Sequence, residues 1–200
     1  MLHNSPLVLL KKRWKFIMVV GIILGILSGI VTMLFPLNYR ADAQVLIISK
    51  SRYGVDPYTV VRSAERVGEN ITQVMRTNDF YNKVKEQKES SVDWSYFDDN
   101  NEREKRKLWN KTMNPSVVYG TGVLNVSMYH PDKTQASALA SAAVSALSAK
   151  GWEYVGGDVT IKVINEPIVT KFPVRPNVLL NMILGFIVGL LFSGFVVIKR

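Results

Sequence analysis

The stretch YRADAQVLIIS, Tyr39–Ser49, starts three residues after Pro36, a proline that closes a long uncharged apolar run. Ala43, Val45 and Ile47 fall on one face at the two-residue period of a β-strand. Leu46 and Ile48 are apolar as well, which predicts burial on both sides. The strand begins only a few residues from the apolar run, so what that run does governs where the strand can sit.

The run is FIMVVGIILGILSGIVTMLF, residues 16–35, and it contains no charge. A second uncharged run, VLLNMILGFIVGLLFSGFVVI, occupies residues 178–198, with Asn181 its strongest polar interruption. About 20 residues of helix at 1.5 Å per residue cross roughly 30 Å of hydrocarbon, so both runs are read as transmembrane helices. Basic residues precede the first run, as in a signal peptide. It is too long for a typical signal-peptide core, however, and no clear cleavage site follows, so an anchor is expected.

Lys11, Lys12, Arg13 and Lys15 stand before the first span, and Lys199 with Arg200 follow the second. Positive flanks face the cytoplasm. The predicted layout is therefore a cytoplasmic N-terminus (1–15), a span (16–35), an extracytoplasmic domain (36–177), a span (178–198) and a cytoplasmic end (199–200). The net charge of +9 divides the same way: removing the six flanking cations leaves 19 against 16 acids, a nearly balanced outer domain. The high pI thus follows from topology, and no nucleic-acid partner is inferred from it. The chain has no cysteine, and its two histidines, His3 and His130, fall on opposite sides of the expected membrane. No cofactor or metal site is expected.

Beyond the first strand, DPYTVVRSAERVGENITQVMRTNDFYNKVKEQ (residues 56–87) predicts a helix with Asp56 as N-cap and Pro57 in its first turn. Val60, Ala64, Val67, Ile71 and Val74 form one stripe, read as packing on the domain's own sheet, with a neighbouring subunit as the alternative, and the seam weakens at Asn78. Gly68 inside the stripe costs up to about 1 kcal/mol relative to alanine. Residues 83–111 are polar: Val92, Trp94 and Tyr96 alternate as in a short strand or ordered loop, and EREKRK is read as a solvated helical turn. The stretch SVVYGTGVLNVSMYHPD (residues 116–132) predicts a strand, with Leu124, Val126 and Met128 on one face, Asn125 and Ser127 on the other, and a bulge or bend at Gly120 and Gly122. Pro131 ends it and Asp132 caps an Ala-rich helix, whose Ala136, Leu139, Ala140, Ala143, Val144 and Leu147 make a flat small-residue face. Gly156 and Gly157 then turn the chain into a last strand, with Val159, Ile161 and Val163 on one side.

This order predicts an α+β extracytoplasmic domain, a small sheet packed with helices, flanked by two transmembrane helices. The first and last strands lead to the two spans and are expected to lie near each other. Pro167, Pro173 and Pro176 in INEPIVTKFPVRPNVLLN predict a stiff, extended connector over residues 166–177, since proline fixes φ and biases its predecessor toward extended geometry. Gly21, Gly25 and Gly29 recur every four residues, as do Gly185 and Gly189, which suits close helix contact.

No catalytic signature occurs: no G-x-S-x-G, no H-E-x-x-H, no Walker A sequence and no cysteine nucleophile. Asp98-Asp99 reads as a solubilising pair and His130 as a strand-end residue.

Taken together, the YRADAQVLI strand after the first span, the segment GVLNVSMYHPDKTQASALASAAVSAL and the proline run before the second span resemble the chain-length determinant (Wzz-like) polysaccharide co-polymerase family, in a short form. The resemblance covers nearly the whole chain and is densest over residues 117–198. It implies a homo-oligomer in the bacterial inner membrane that sets the length of a lipid-linked glycan such as O-antigen, capsule or exopolysaccharide. Such a protein works with a polysaccharide polymerase or other glycan assembly machinery and does not itself make or break glycosidic bonds. The prolines and helical glycines above carry over with it. The chain is also similar to membrane adaptors of tyrosine kinases in capsule synthesis, and that alternative implies a separate cytoplasmic kinase as partner. A two-span extracytoplasmic sensor is a further alternative. Membrane lipid is the expected surroundings in every case.

Overall fold

The computed structural model describes residues 6–49, 56–87, 91–156 and 159–199; His3, Gly157 and Arg200 lie outside these. In chain order its elements are α1 (Pro6–Lys12), α2 (Trp14–Met33), β1 (Tyr39–Ser49), α3 (Pro57–Val74), α4 (Asn78–Lys85), α5 (Ser95–Asp98) and α6 (Glu102–Thr112). There follow β2 (Met113–Val118), β3 (Val123–His130), α7 (Lys133–Lys150), α8 (Trp152–Val155), β4 (Val159–Val169) and α9 (Val178–Lys199). They form two compact units, residues 1–37 with 174–200, and residues 38–173.

In the first unit, α2 and α9 are each long and apolar enough to cross a membrane. They pack on each other through Gly21, Gly25 and Gly29 of α2, which are buried, and through Gly185 and Gly189 of α9. Ser28 Oγ donates to the Asn181 carbonyl at 2.9 Å, and Asn181 Nδ2 donates to Thr32 Oγ1 at 3.1 Å. The polar interruption in the second apolar run is therefore satisfied by its helical partner, as apolar surroundings require. The small-residue faces thus meet within one chain.

The second unit is built on an antiparallel sheet of order β2-β3-β1-β4. The strands that follow α2 and precede α9 in sequence, β1 and β4, are direct neighbours. Ala41, Ala43, Val45 and Ile47 of β1 and Leu124, Val126 and Met128 of β3 are buried on one face, under α3 and α7. Asp56 caps α3, accepting from the Thr59 amide, and Asp132 caps α7, accepting from Thr134 and Gln135. All six small-face residues expected on α7 are buried, with Ala142 and Ala146 besides.

Several expectations are corrected. Among the described residues of the sheet unit, no helix covers the opposite face of β1: Ile48 is 42% exposed and Leu46 only half-buried, because α3 and α7 share one side of the sheet. The strand expected over 116–132 is a hairpin. Gly120 and Gly122 take positive φ of 73° and 69°, a left-handed geometry open to glycine at no steric cost, and they turn β2 into β3. The helix expected over 56–87 breaks where its seam weakens, and Thr77 caps a new helix, α4, by accepting from the Phe80 amide.

The polar stretch hides a second part of the core. Trp94 to Asp98 turn as helix, not strand, and Phe97 and Trp109 are buried with Phe80 and Tyr81. Tyr81 stands edge-on to Trp94 and Trp109 at 5.4 and 5.1 Å between ring centroids. Asp98, expected as a solubilising residue, accepts from Tyr81 Oη at 2.9 Å and pairs with Lys85 and Lys105. The charged residues of α6 point to solvent except Lys105, whose ammonium lies over the Tyr81 ring.

The start of the expected connector is strand: β4 runs to Val169 and takes in Pro167. Strand β4 is an edge of the sheet and Pro167 lies where its register shifts, positions that need no N–H donor.

Candidate functional site

The face of the sheet opposite α3 and α7 carries two polar rows that follow directly from the strand register. In the first, Ser116 on β2 pairs with Asn125 on β3, Asn125 with Gln44 on β1, and Gln44 with Asn165 on β4. In the second, Asn114 pairs with Ser127, Ser127 with Asp42, and Asp42 with Ile168. Strand alternation places Arg40, Asp42 and Gln44 on this face because Ala41, Ala43 and Val45 occupy the core.

Asn165 reaches the face by a different route. It has the sequence parity of Val159, Ile161 and Val163, whose side of β4 looks toward the core. Between the Val45–Val163 and Gln44–Asn165 pairs, however, β1 advances one residue and β4 two. The extra residue, Ile164, makes a bulge that turns Asn165 outward. A second shift between Gln44 and Asp42 brings Ile168 out, 74% exposed.

The side chains are tied together. Gln44 Nε2 donates to Asn125 Oδ1 at 2.7 Å, and Gln44 Oε1 accepts from Asn165 Nδ2. Asp42 accepts from Arg40 Nε at 2.8 Å and from Ser127 Oγ at 2.6 Å. Thr170 closes the strand end, its amide donating to the Arg40 carbonyl at 2.8 Å. Partial desolvation opposes the charge on Arg40, but Asp42 and Tyr129 outweigh it and hold the guanidinium pKa above its ordinary value. These groups line an open depression of about 660 Å³, together with Glu166.

The arrangement presents amide donors and acceptors, a neutralised guanidinium–carboxylate pair and hydroxyls on a rigid sheet. Such a surface can hold a polar ligand but contains no nucleophile–base pair. His130 lies elsewhere, buried at the end of β3, with Nδ1 accepting from the Asp132 amide at 3.0 Å. Burial pushes its pKa below the ordinary value, against the pull of Asp132 and Asp93. Among the described residues, no three of His, Cys, Asp or Glu are grouped to hold a metal ion.

Of the residues singled out from sequence, Gly21, Gly25, Gly29, Gly185 and Gly189 lie in the helical unit, and Lys11, Lys12, Arg13, Lys15 and Lys199 are exposed on it. Pro167 and Pro173 belong to the sheet unit and Pro176 to the helical one. None lines the polar depression. Asn125 and Ser127 were readable as an outward pair, and the alternation of Arg40, Asp42 and Gln44 was the available signal on β1. Asn165 gave no signal, because only the bulge aims it.

Residues 7–88 match the model of the family described as Wzz, chain length determinant protein. The match spans α2, β1, α3 and α4, which places it N-terminal to the 117–198 stretch where the quoted likeness is densest. A comparison with curated proteins finds no match for the chain.

Proposed function

We propose that this chain is a non-enzymatic membrane regulator of polysaccharide chain length, acting as an oligomeric co-polymerase beside a glycan polymerase. The observation that carries this reading is the chain-length determinant match over residues 7–88, which falls on the first apolar helix and the strand and helices after it. Two apolar helices flanking one α+β unit support it, as does a polar face suited to holding a ligand without transforming it. Members of the matched family are non-enzymatic co-polymerases, so no bond-making step is assigned to the chain.

In this reading the protein lies in a bacterial inner membrane. The basic residues at Lys11, Lys12, Arg13, Lys15 and Lys199 hold both ends on the cytoplasmic side. The sheet unit then faces outward, and because β1 pairs with β4, its entry and exit strands are locked side by side. Self-association of several such units would set how long a growing glycan is retained.

Gene deletion followed by gel analysis of extracted glycans tests the proposal. The modal length is expected to shift or scatter on deletion and to return when the full chain is restored. An unchanged ladder in the deletion strain overturns it.

A further inference from the structure

We infer that the open face of the β2-β3-β1-β4 sheet is a binding site for a neutral, hydroxyl-rich saccharide, seated across the row Ser116, Asn125, Gln44 and Asn165. The inference rests on the polysaccharide reading above and assigns it a contact surface.

The hydrogen bonds within the row give it a direction. Gln44 donates to the Asn125 carbonyl oxygen and accepts from the Asn165 amide, so both neighbours are oriented by the residue between them. The Asn125 amino group is left to donate toward the β2 side, and the Asn165 carbonyl oxygen to accept toward the β4 side. Adjacent sugar hydroxyls, each both donor and acceptor, match such an array. They can replace the water that an exposed amide row otherwise holds. Ile168 beside Asp42 offers an exposed apolar surface for the C–H face of a sugar ring. The depression is of the size typical of ligand clefts, about 300–1,000 Å³.

Charge selects among polar ligands. Arg40 is the one cation lining the depression among the described residues, and it is already paired with Asp42, while Glu166 adds a second carboxylate. Phosphate-rich or strongly anionic polymers need unneutralised lysine or arginine, so they fit poorly. A second copy of this chain fits poorly too. Interface centres are depleted of charged groups, and burying this face would strip water from the Arg40–Asp42 pair and from Glu166.

The test uses the full chain in lipid nanodiscs. Saturation-transfer NMR is run with neutral oligosaccharides of glucose, of galactose and of N-acetylhexosamines, and with dextran sulfate as the anionic comparison. Wild-type protein is expected to bind at least one neutral set in preference to dextran sulfate. Asn125→Ala is expected to weaken binding about tenfold, as loss of a ligand hydrogen bond implies, and Gln44→Ala comparably by releasing the two neighbours it orients, in chains that still unfold cooperatively. Asn70→Ala, on the outer side of α3, is expected to leave binding unchanged. No binding to any neutral set, stronger binding to dextran sulfate, or undiminished binding by the Gln44→Ala/Asn125→Ala double variant each overturns the site. Glycan ladders separate this inference from the functional reading. A deletion that alters the ladder, fully rescued by the double variant, sinks the site alone. An unaltered ladder with lost binding in the double variant sinks the function alone.

Discussion

A β-carbon built on Gly189 would lie 2.8 Å from the Cα of Gly21, so α2 and α9 touch backbone to backbone at that point. In apolar surroundings helices gain little from hiding hydrocarbon from water, and close packing has to supply the association energy. Gly189→Leu should therefore force the pair apart and cost about 1–3 kcal/mol, the usual cost of overpacking. Gly194→Ala is the internal comparison, because its new β-carbon would meet only Leu10 Cδ2 at 3.6 Å, an ordinary contact. Thermal unfolding in nanodiscs checks the contrast: a lowered midpoint for Gly189→Leu and a near-neutral Gly194→Ala. Equal midpoints would mean that the glycine contact does not hold the two helices together.

Gly68 poses a competition between helix propensity and packing. Alanine gains up to about 1 kcal/mol in a helix interior over glycine. Its β-carbon here would come within 3.1 Å of Val117 Cγ2 and 3.2 Å of Ile47 Cδ1, where α3 rests on the sheet. Both contacts are methyl ends that can give by a few tenths of an ångström. Gly68→Ala is expected to stay within about 1 kcal/mol of wild type, whereas Gly68→Leu should lose about 1–3 kcal/mol. Chemical denaturation reads both. A Gly68→Leu chain as stable as wild type would refute the close approach of α3 to β1 and β2.

Trp109 is 2% exposed, and its Nε1 donates to the Met75 carbonyl at 2.9 Å, where α3 ends. Its ring also meets Tyr81 and Phe97 edge-on. Trp109→Ala should cost about 3–5 kcal/mol. Trp109→Phe keeps most of the apolar surface and drops the hydrogen bond, for a loss of about 1–2 kcal/mol. Denaturant midpoints together with near-ultraviolet circular dichroism measure this. If Trp109→Ala lost less than Trp109→Phe, residues 91–112 would have to be a solvated surface after all.

These residues mark where the sequence could be read and where it could not. The first strand and the Ala-rich helix were legible because one periodicity runs through each, with Asp132 announcing the cap, and both apolar helices because each is an uncharged run of about 20 residues. The segment around Phe97 and Trp109 was not. Its few aromatics are scattered among charges, and they become core only when α4, α5 and α6 fold onto one another. The polar sheet face was half legible. Asn125 and Ser127 showed an outward side on β3, but apolar Leu46 and Ile48 masked the same side on β1. Asn165 required the Ile164 bulge, a two-against-one mismatch that exists only once β1 is paired with β4.

His130 predicts how stability depends on pH. Its ring is buried against Tyr96 at 4.5 Å between centroids, and Nδ1 accepts the Asp132 amide proton. Burial lowers its pKa in the folded chain, the main cause, with Asp132 and Asp93 only partly offsetting it. The unfolded chain, with an ordinary value of 6.5, thus binds the proton first as pH falls. Stability is then full above about pH 6.5 and declines below it, by at most about 1.4 kcal/mol per pH unit, until the folded histidine also titrates. Asp132, held low mainly by the Thr134 hydroxyl, loses its contribution only nearer its ordinary 3.8, so the interval from about pH 5 to 6.5 isolates the histidine. His130→Asn keeps an acceptor for the Asp132 amide and has no proton to bind. Denaturation midpoints measured across that interval should slope in wild type and flatten in the variant; a slope that survives His130→Asn would assign the acid sensitivity to another group.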